Sequence, residues 1–197
     1  MTEQRESRAN RVLRKPLRTP RLVLRRPSVA DIDAIYAIHS DARACEHNPA
    51  DVLGTRRDAA ELLRRWDTHW SEKGYGYFSM DLPGTDAPIG FCGIKLVRFR
   101  GERVLNLFYR LDPAFWGQGF ATEAARAVVD YADRRLPELA MIAKVRPQNV
   151  ASRRIVTKLG LVKQPSLGEV GEDGWEDVYT RRWPTVDNRA ESSPQKR

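Results

Sequence analysis

Residues 105–132 read Leu105-Asn-Leu-Phe-Tyr-Arg-Leu-Asp-Pro-Ala-Phe-Trp-Gly-Gln-Gly-Phe-Ala-Thr-Glu-Ala-Ala-Arg-Ala-Val-Val-Asp-Tyr-Ala132. The stretch has three parts. Residues 104–111 are apolar and aromatic, the pattern of a strand. Asp112-Pro113 breaks it. Then Ala121, Ala124, Ala125, Val128, Val129 and Ala132 recur at i, i+3, i+4, i+7, i+8 and i+11, the period of a helix with one buried face. At the junction stand Gly117 and Gly119. A helix start leaves backbone N–H groups unpaired and carries the positive end of the dipole. Glycines there let a ligand approach the main chain, which suits phosphate or pyrophosphate. Two glycines alone also fit a plain strand-to-helix turn.

The string Pro113, two residues, Trp116-Gly117-Gln118-Gly119-Phe120-Ala121-Thr122-Glu123-Ala124 is more specific. It resembles the coenzyme-A loop of the GNAT acetyltransferase superfamily, and within it the RimJ/RimL type that acetylates N-terminal alanines of ribosomal proteins. The superfamily pattern is Gln/Arg-x-x-Gly-x-Gly/Ala. Gly119 and Ala121 fill its last two places, and Trp116 stands where Gln or Arg is usual, as in the RimJ/RimL branch. A second stretch, Val145-Arg-Pro-Gln-Asn149-Val-Ala-Ser152-Arg-Arg154-Ile-Val-Thr-Lys158-Leu-Gly160, resembles the superfamily's other motif. The likeness spans residues 18–183.

Composition agrees with one soluble domain. The chain has 197 residues, 41% hydrophobic and 30% charged. Expected are a basic tail at 1–16, one domain at 17–184 and a polar tail at 185–197. No apolar run approaches the ~18 residues of a membrane span. Residues 1–15 lack the apolar core of a secretory signal. Cys45 and Cys92 stand alone, without zinc or disulfide spacing, so a reducing cytoplasm is the expected setting. The net charge of +8 fits an anionic cofactor. It also admits nucleic acid, but much of it lies in the tails, and no basic-aromatic stripe accompanies it.

Outward from the centre, residues 22–26 read as a strand. Ser28 with Asp31 reads as a capping box opening a first helix. Residues 41–55 have little period. A second helix over 58–72 carries Trp66 and Trp70 on one face, as core or pocket wall. Residues 75–80 and 89–96 form a hairpin, and 98–103 a charged turn. Residues 139–145 read as a buried strand ended by Pro147. Asn149 caps a further helix that Gly160 closes. Residues 168–174 are Gly- and acid-rich and read as loose, and 175–183 give a last strand.

The resemblance implies an α+β, three-layer GNAT fold: a mixed, mostly antiparallel sheet of about six to seven strands flanked by helices. A splayed parallel pair, 104–111 and 139–145, would admit the pantetheine arm of acetyl-CoA. The main chain of Phe108, Tyr109, Arg110 and Leu111 would pair with that arm. One N–H there would polarise the thioester carbonyl. Trp116 would belong to the cofactor site, and the main chain from Gly117 through Gln118, Gly119, Phe120 and Ala121 to Thr122 would hold the pyrophosphate. Asn149 would cap its helix and hold a cofactor amide or ordered water. Gln118 and either Arg154 or Lys158 would reach phosphates.

The implied reaction is direct attack of an amine on acetyl-CoA, with no metal. Many members of the superfamily protonate the leaving thiolate with a Tyr at the place held here by Val156. RimJ/RimL-type enzymes use a Ser, matched by Ser152. Asn106 stands where a Glu base is common, and Asn takes no proton at neutral pH. Glu46, His39 and His47 in the acceptor loop, and Glu102, remain as candidate bases. An α-amine, pKa ~7.7–8, is partly neutral at physiological pH, whereas a lysine at ~10.4 is not. The expected acceptor is therefore a protein N-terminus or a small-molecule amine. The expected assembly is a monomer or homodimer, without membrane or specific nucleic-acid partners. A non-catalytic acyl-CoA sensor of the same fold is the alternative, kept open by Asn106.

Overall fold

The computed structural model describes residues 15–184. The tails expected at 1–16 and 185–197 fall almost wholly outside that range. Among the described residues nine strands form the sheet: β1 (Leu17–Arg18), β2 (Val23–Arg25), β3 (Tyr77–Asp81), β4 (Gly90–Phe99), β5 (Glu102–Leu111), β6 (Ala140–Val145), β7 (Val162–Lys163), β8 (Glu169–Gly171) and β9 (Gly174–Arg181). The main path is β1-β2-β3-β4-β5-β6-β9-β7, with β8 paired to β9. The count exceeds the six or seven expected because β1, β7 and β8 are two or three residues long, too short to show a period. The helices are α1 (Ile32–Ser40), α2 (Arg56–Lys73), α3 (Phe120–Arg135) and α4 (Val150–Lys158).

β4 and β5 make the central hairpin, in register from Gly90↔Leu111 to Phe99↔Glu102. The charged turn expected at 98–103 shrinks to Arg100-Gly101. Both have positive φ, 50° and 84°, the signature of a tight hairpin turn. Because side chains alternate, this register sorts the residues onto two faces. Leu105, Leu107 and Leu111 join Cys92, Ile94 and Phe78 in the main core, under Phe120, Ala124, Val128 and Ala132 of α3. Phe91 and Tyr77 point the other way and pack with Ile35, Ile38, Leu63 and Trp66 of α1 and α2. Three layers result.

Two close approaches need glycine. A Cβ on Gly93 would lie 2.2 Å from the Gly76 carbonyl oxygen and 2.6 Å from Tyr77 Cα. The chain segment read as loose, 168–174, is instead a hairpin: Val170 pairs with Trp175, and Gly174 turns at φ 111°.

The entry to α1 rests on Asp31. Its carboxylate accepts from the Ser28 amide at 2.7 Å and from both Nη atoms of Arg25 at 2.7 Å. The Ser79 hydroxyl adds a bond at 3.0 Å. Burial opposes this charge, but the bonds from Arg25, Ser28 and Ser79 and the Arg25 charge outweigh it and hold Asp31 below the usual carboxylate range.

Candidate active site

β5 and β6 are the parallel pair, and they pair only at Val104↔Ala140, Leu105↔Met141 and Asn106↔Ile142. Beyond Asn106 the two strands part, while β5 stays paired with β4 to Leu111 and β6 with β9 to Val145. A notch therefore opens within the sheet, walled on one side by the main chain of residues 107–111. A cavity of about 870 Å³ passes through it, a size that suits an organic cofactor with part of its acceptor.

On the α3 side, Gly117 and Gly119 have φ 74° and 82°. Gly119 is the N-cap of α3, and no side chain caps the helix. Gly119, Phe120, Ala121 and Thr122 line the cavity, so the open first-turn N–H groups lie where an anion would be held. Asn149 caps α4, accepting from the Ser152 amide at 2.9 Å. Tyr109 reaches across the notch, its hydroxyl donating to the Ser152 carbonyl at 3.3 Å.

The structure gathers the other residues singled out in the sequence around the same cavity. Glu46, Asn106, Phe108, Tyr109, Arg110, Leu111, Trp116, Ser152, Arg154 and Lys158 all line it. Gln118 does not. Its side chain donates back to the Ala114 carbonyl at 3.3 Å, and its own carbonyl accepts from Arg21 at 3.0 Å. Trp116 is half-exposed and anchored by its indole N–H to the Leu111 carbonyl, 3.1 Å.

Glu123 holds more than its own helix. Its carboxylate accepts from the Thr19 hydroxyl at 2.6 Å, the Arg21 amide at 2.9 Å and Arg21 Nε at 2.7 Å. Arg21 also lies 4.3 Å over the Phe120 ring. The segment before β2 is thus strapped to the start of α3. Burial opposes the Glu123 charge, but Thr19 and Arg21 keep its pKa lowered.

The α1–α2 side of β5 presents Asn106, Phe108 and Arg110. Asn106 lies within hydrogen-bonding reach of the buried Tyr77 hydroxyl. Its Oδ1 is buried and has no partner among the described residues. Lys95 faces Asn106 across the ladder and lies 4.8 Å over the Tyr77 ring. Arg110 Nη2 donates to Asp51 at 2.7 Å.

Among the candidate bases, His39 is buried on α1 between Trp66, Phe91 and Phe108. Burial, with the Arg110 charge, pulls its pKa down to about 3. It stays neutral and is a weak proton acceptor at pH 7. Glu102 opens β5 at the far end of the hairpin and does not line the cavity. Glu46 and His47 do.

Sequence reasoning missed Glu176 of β9, which also lines the cavity. Burial, against the pull of Lys144, raises its pKa. The glycines around it hid the hairpin that places it. It also missed the side-chain role of Arg110, which only the β4–β5 register could have shown.

Residues 21–162 match the family described as acetyltransferase (GNAT) domain. The uncharacterized N-acetyltransferase YnaD of Bacillus subtilis is 26% identical over 164 residues, 82% of this chain and 92% of that protein. A solved acetyltransferase from Agrobacterium tumefaciens superposes with a TM-score of 0.72 at 26% identity, covering 85% of this chain and 94% of the other. RimL, a ribosomal L7/L12 alpha-N-protein acetyltransferase solved with coenzyme A, shares the fold at a TM-score of 0.68 and 16% identity, over 85% and 97% of the two chains. A mixed sheet opened at one parallel pair, a glycine-bordered helix start beside the opening, and a match over most of the chain agree: this protein belongs to the GNAT acetyltransferase family and is an acyltransferase.

Proposed function

We propose that the protein transfers the acetyl group of acetyl-CoA to a primary amine, a protein N-terminus or a small molecule, by direct attack. One observation carries the reading. A single cavity runs from the uncapped start of α3, through the β5–β6 notch, to the Asn106–Arg110 face of β5. Two substrates entering from opposite sides would meet beside residues 106–111.

Acetyl-CoA supplies the acyl group as a thioester. The first-turn amides of α3 bind its pyrophosphate, and Arg154 and Lys158 add positive charge at the rim. The edge of β5 past Asn106 pairs with the amides of the arm, and one N–H of that edge polarises the thioester carbonyl. Asn106 Oδ1 accepts one N–H of the attacking amine and aims its lone pair. The new C–N bond forms as the C–S bond breaks. Ser152 Oγ gives the leaving sulfur its proton and recovers one from solvent. The amine's surplus proton leaves through Glu46 or water on the acceptor side.

The test is thiol release from acetyl-CoA across peptides, polyamines, aminoglycosides and amino acids, in wild type and Ser152→Ala. Wild type should turn over at least one acceptor. The variant should lose ~10²–10⁴-fold in kcat with acetyl-CoA affinity within twofold. Undiminished turnover would remove Ser152 from the chemistry. Tight acetyl-CoA binding with no turnover of any acceptor would instead fit an acyl-CoA sensor.

A further inference from the structure

The acceptor side of the cavity carries Arg110, Lys95, Arg65 and Arg43 against Glu46 and Asp51. Arg110 has only 6% of its side chain exposed, against 55% for its partner Asp51. Nη2 is bound to Asp51, but Nη1 is buried without a partner among the described residues. A buried charged donor left unpaired is costly, and here it stands in a cavity wall. The guanidinium lies 5.6 Å from the centre of the Phe108 ring, so it is folded over the shelf between itself and Asn106. Its planar fork can serve two carboxylates, one on each outer nitrogen.

Two more cations share this wall. Lys95 and Arg65 both line the cavity, and no ion pair joins either to a carboxylate among the described residues. Burial, then the nearby Arg65 charge, lowers the Lys95 pKa. Arg43 lines it too, neutralised by Asp41 at 2.6 Å. Set against Glu46, Asp51 and Asp41, the four cations still leave this wall net positive, which disfavours a polycation. An amine with its own anionic group is not so disfavoured, and the same field favours the neutral amine that attack requires.

We propose that the acceptor is an amine bearing its own carboxylate, the amine set at Asn106 Oδ1 and the carboxylate at Arg110, with polycationic amines excluded. This rests on the acetyl-transfer reading and names its substrate class. Phe108 stands between the two contacts, two residues from Asn106 and two from Arg110 on the same face of β5. The spacer must therefore cross a ring, which a single carbon does not do. The carboxylate can belong to a small ω-amino acid or to an acidic second residue of a peptide.

The experiment uses the full chain saturated with CoA for binding, and acetyl-CoA for turnover. Glycine, β-alanine, γ-aminobutyrate and ε-aminocaproate are each compared with their carboxamides. Ser-Glu and Ser-Gln peptide amides make a second arm, and spermidine and kanamycin a third. Calorimetry gives Kd, and thiol release gives kcat/KM. At least one carboxylate should beat its uncharged twin tenfold or more. The winning arm identifies the source: longer ω-amino acids for a small molecule, Ser-Glu for a peptide. Arg110→Gln should erase that preference, read as the carboxylate-to-carboxamide ratio within each pair. Equal binding within every pair, or spermidine or kanamycin binding best, overturns the proposal without needing any variant to fold. A preference that survives Arg110→Gln overturns it too. If carboxylates win in calorimetry but no thiol is released, Arg110 stands as a carboxylate-binding site, while the acceptor assignment falls with the transfer reading.

Discussion

Replacing Asp31 with Asn tests how the entry to α1 is held. The carboxylate is 1% exposed and serves Arg25, Ser28 and Ser79 together. An amide of the same shape keeps one acceptor oxygen and turns an NH2 towards donors that need an acceptor. Breaking a buried ion pair costs about 3–5 kcal/mol. Arg25 is 31% exposed and retains Asp81 at 2.6 Å, so the lower end, about 3 kcal/mol, is expected. For a domain this size that lowers Tm by about 6–12 °C. Asp81→Asn, whose side chain is 32% exposed, should cost no more than about 1 kcal/mol. The assay is urea unfolding followed by tryptophan fluorescence, since Trp66 and Trp70 are buried. The pH dependence has a definite sign. The folded pKa of Asp31 lies below its unfolded value, so its contribution is complete above about pH 4 and is lost as pH falls through the folded pKa. The gap between wild type and Asp31→Asn should therefore narrow in acid. A gap under about 1 kcal/mol at pH 7, or one that stays constant into acid, would refute this account of the capping carboxylate.

Three further outcomes are expected. Gly93→Ala drives a methyl into the Gly76 carbonyl and Tyr77 backbone and should cost about 1–3 kcal/mol or more; an unchanged Tm would show that β3 can yield. The His39 imidazole, held down to about 3 by burial, should show no NMR titration between pH 5 and 8. Because its folded pKa lies below its unfolded one, its contribution is full above about pH 6.5 and lost as pH falls towards 3; a midpoint near 6 would restore it as a candidate base. Arg21→Ala frees the strap on Glu123 and should raise the KM for acetyl-CoA near fivefold, about 1 kcal/mol, with kcat little changed; an unaltered KM would make the strap irrelevant to the loop.

The strand, loop and helix of residues 104–132 were legible because hydrophobic period and glycine placement are local properties. So was the Asn149 cap, which needs only a side chain three residues before its N–H. The Arg21–Glu123 strap was not, since its members lie 102 residues apart and each alone looks like a surface charge. β8 was hidden because three residues beside glycines carry no alternation. Arg110 was read for its backbone alone. That its guanidinium turns to the α1–α2 side follows only from the β4–β5 register, which pattern does not specify. The depressed pKa of His39 depends on rings from α2, β4 and β5, none of them near it in sequence.

The parting of β5 from β6 makes β5 an edge strand in the middle of a sheet. Its unpaired ladder groups lie in the plane of the sheet, while its side chains stand perpendicular to that plane. On the proposed reading, the plane serves the coenzyme and the perpendicular serves the acceptor. Main-chain recognition is indifferent to residue identity, so Asn106, Phe108 and Arg110 can change without altering the edge that holds the arm. One strand can then be re-specified for new amines while its grip on the shared donor is inherited intact.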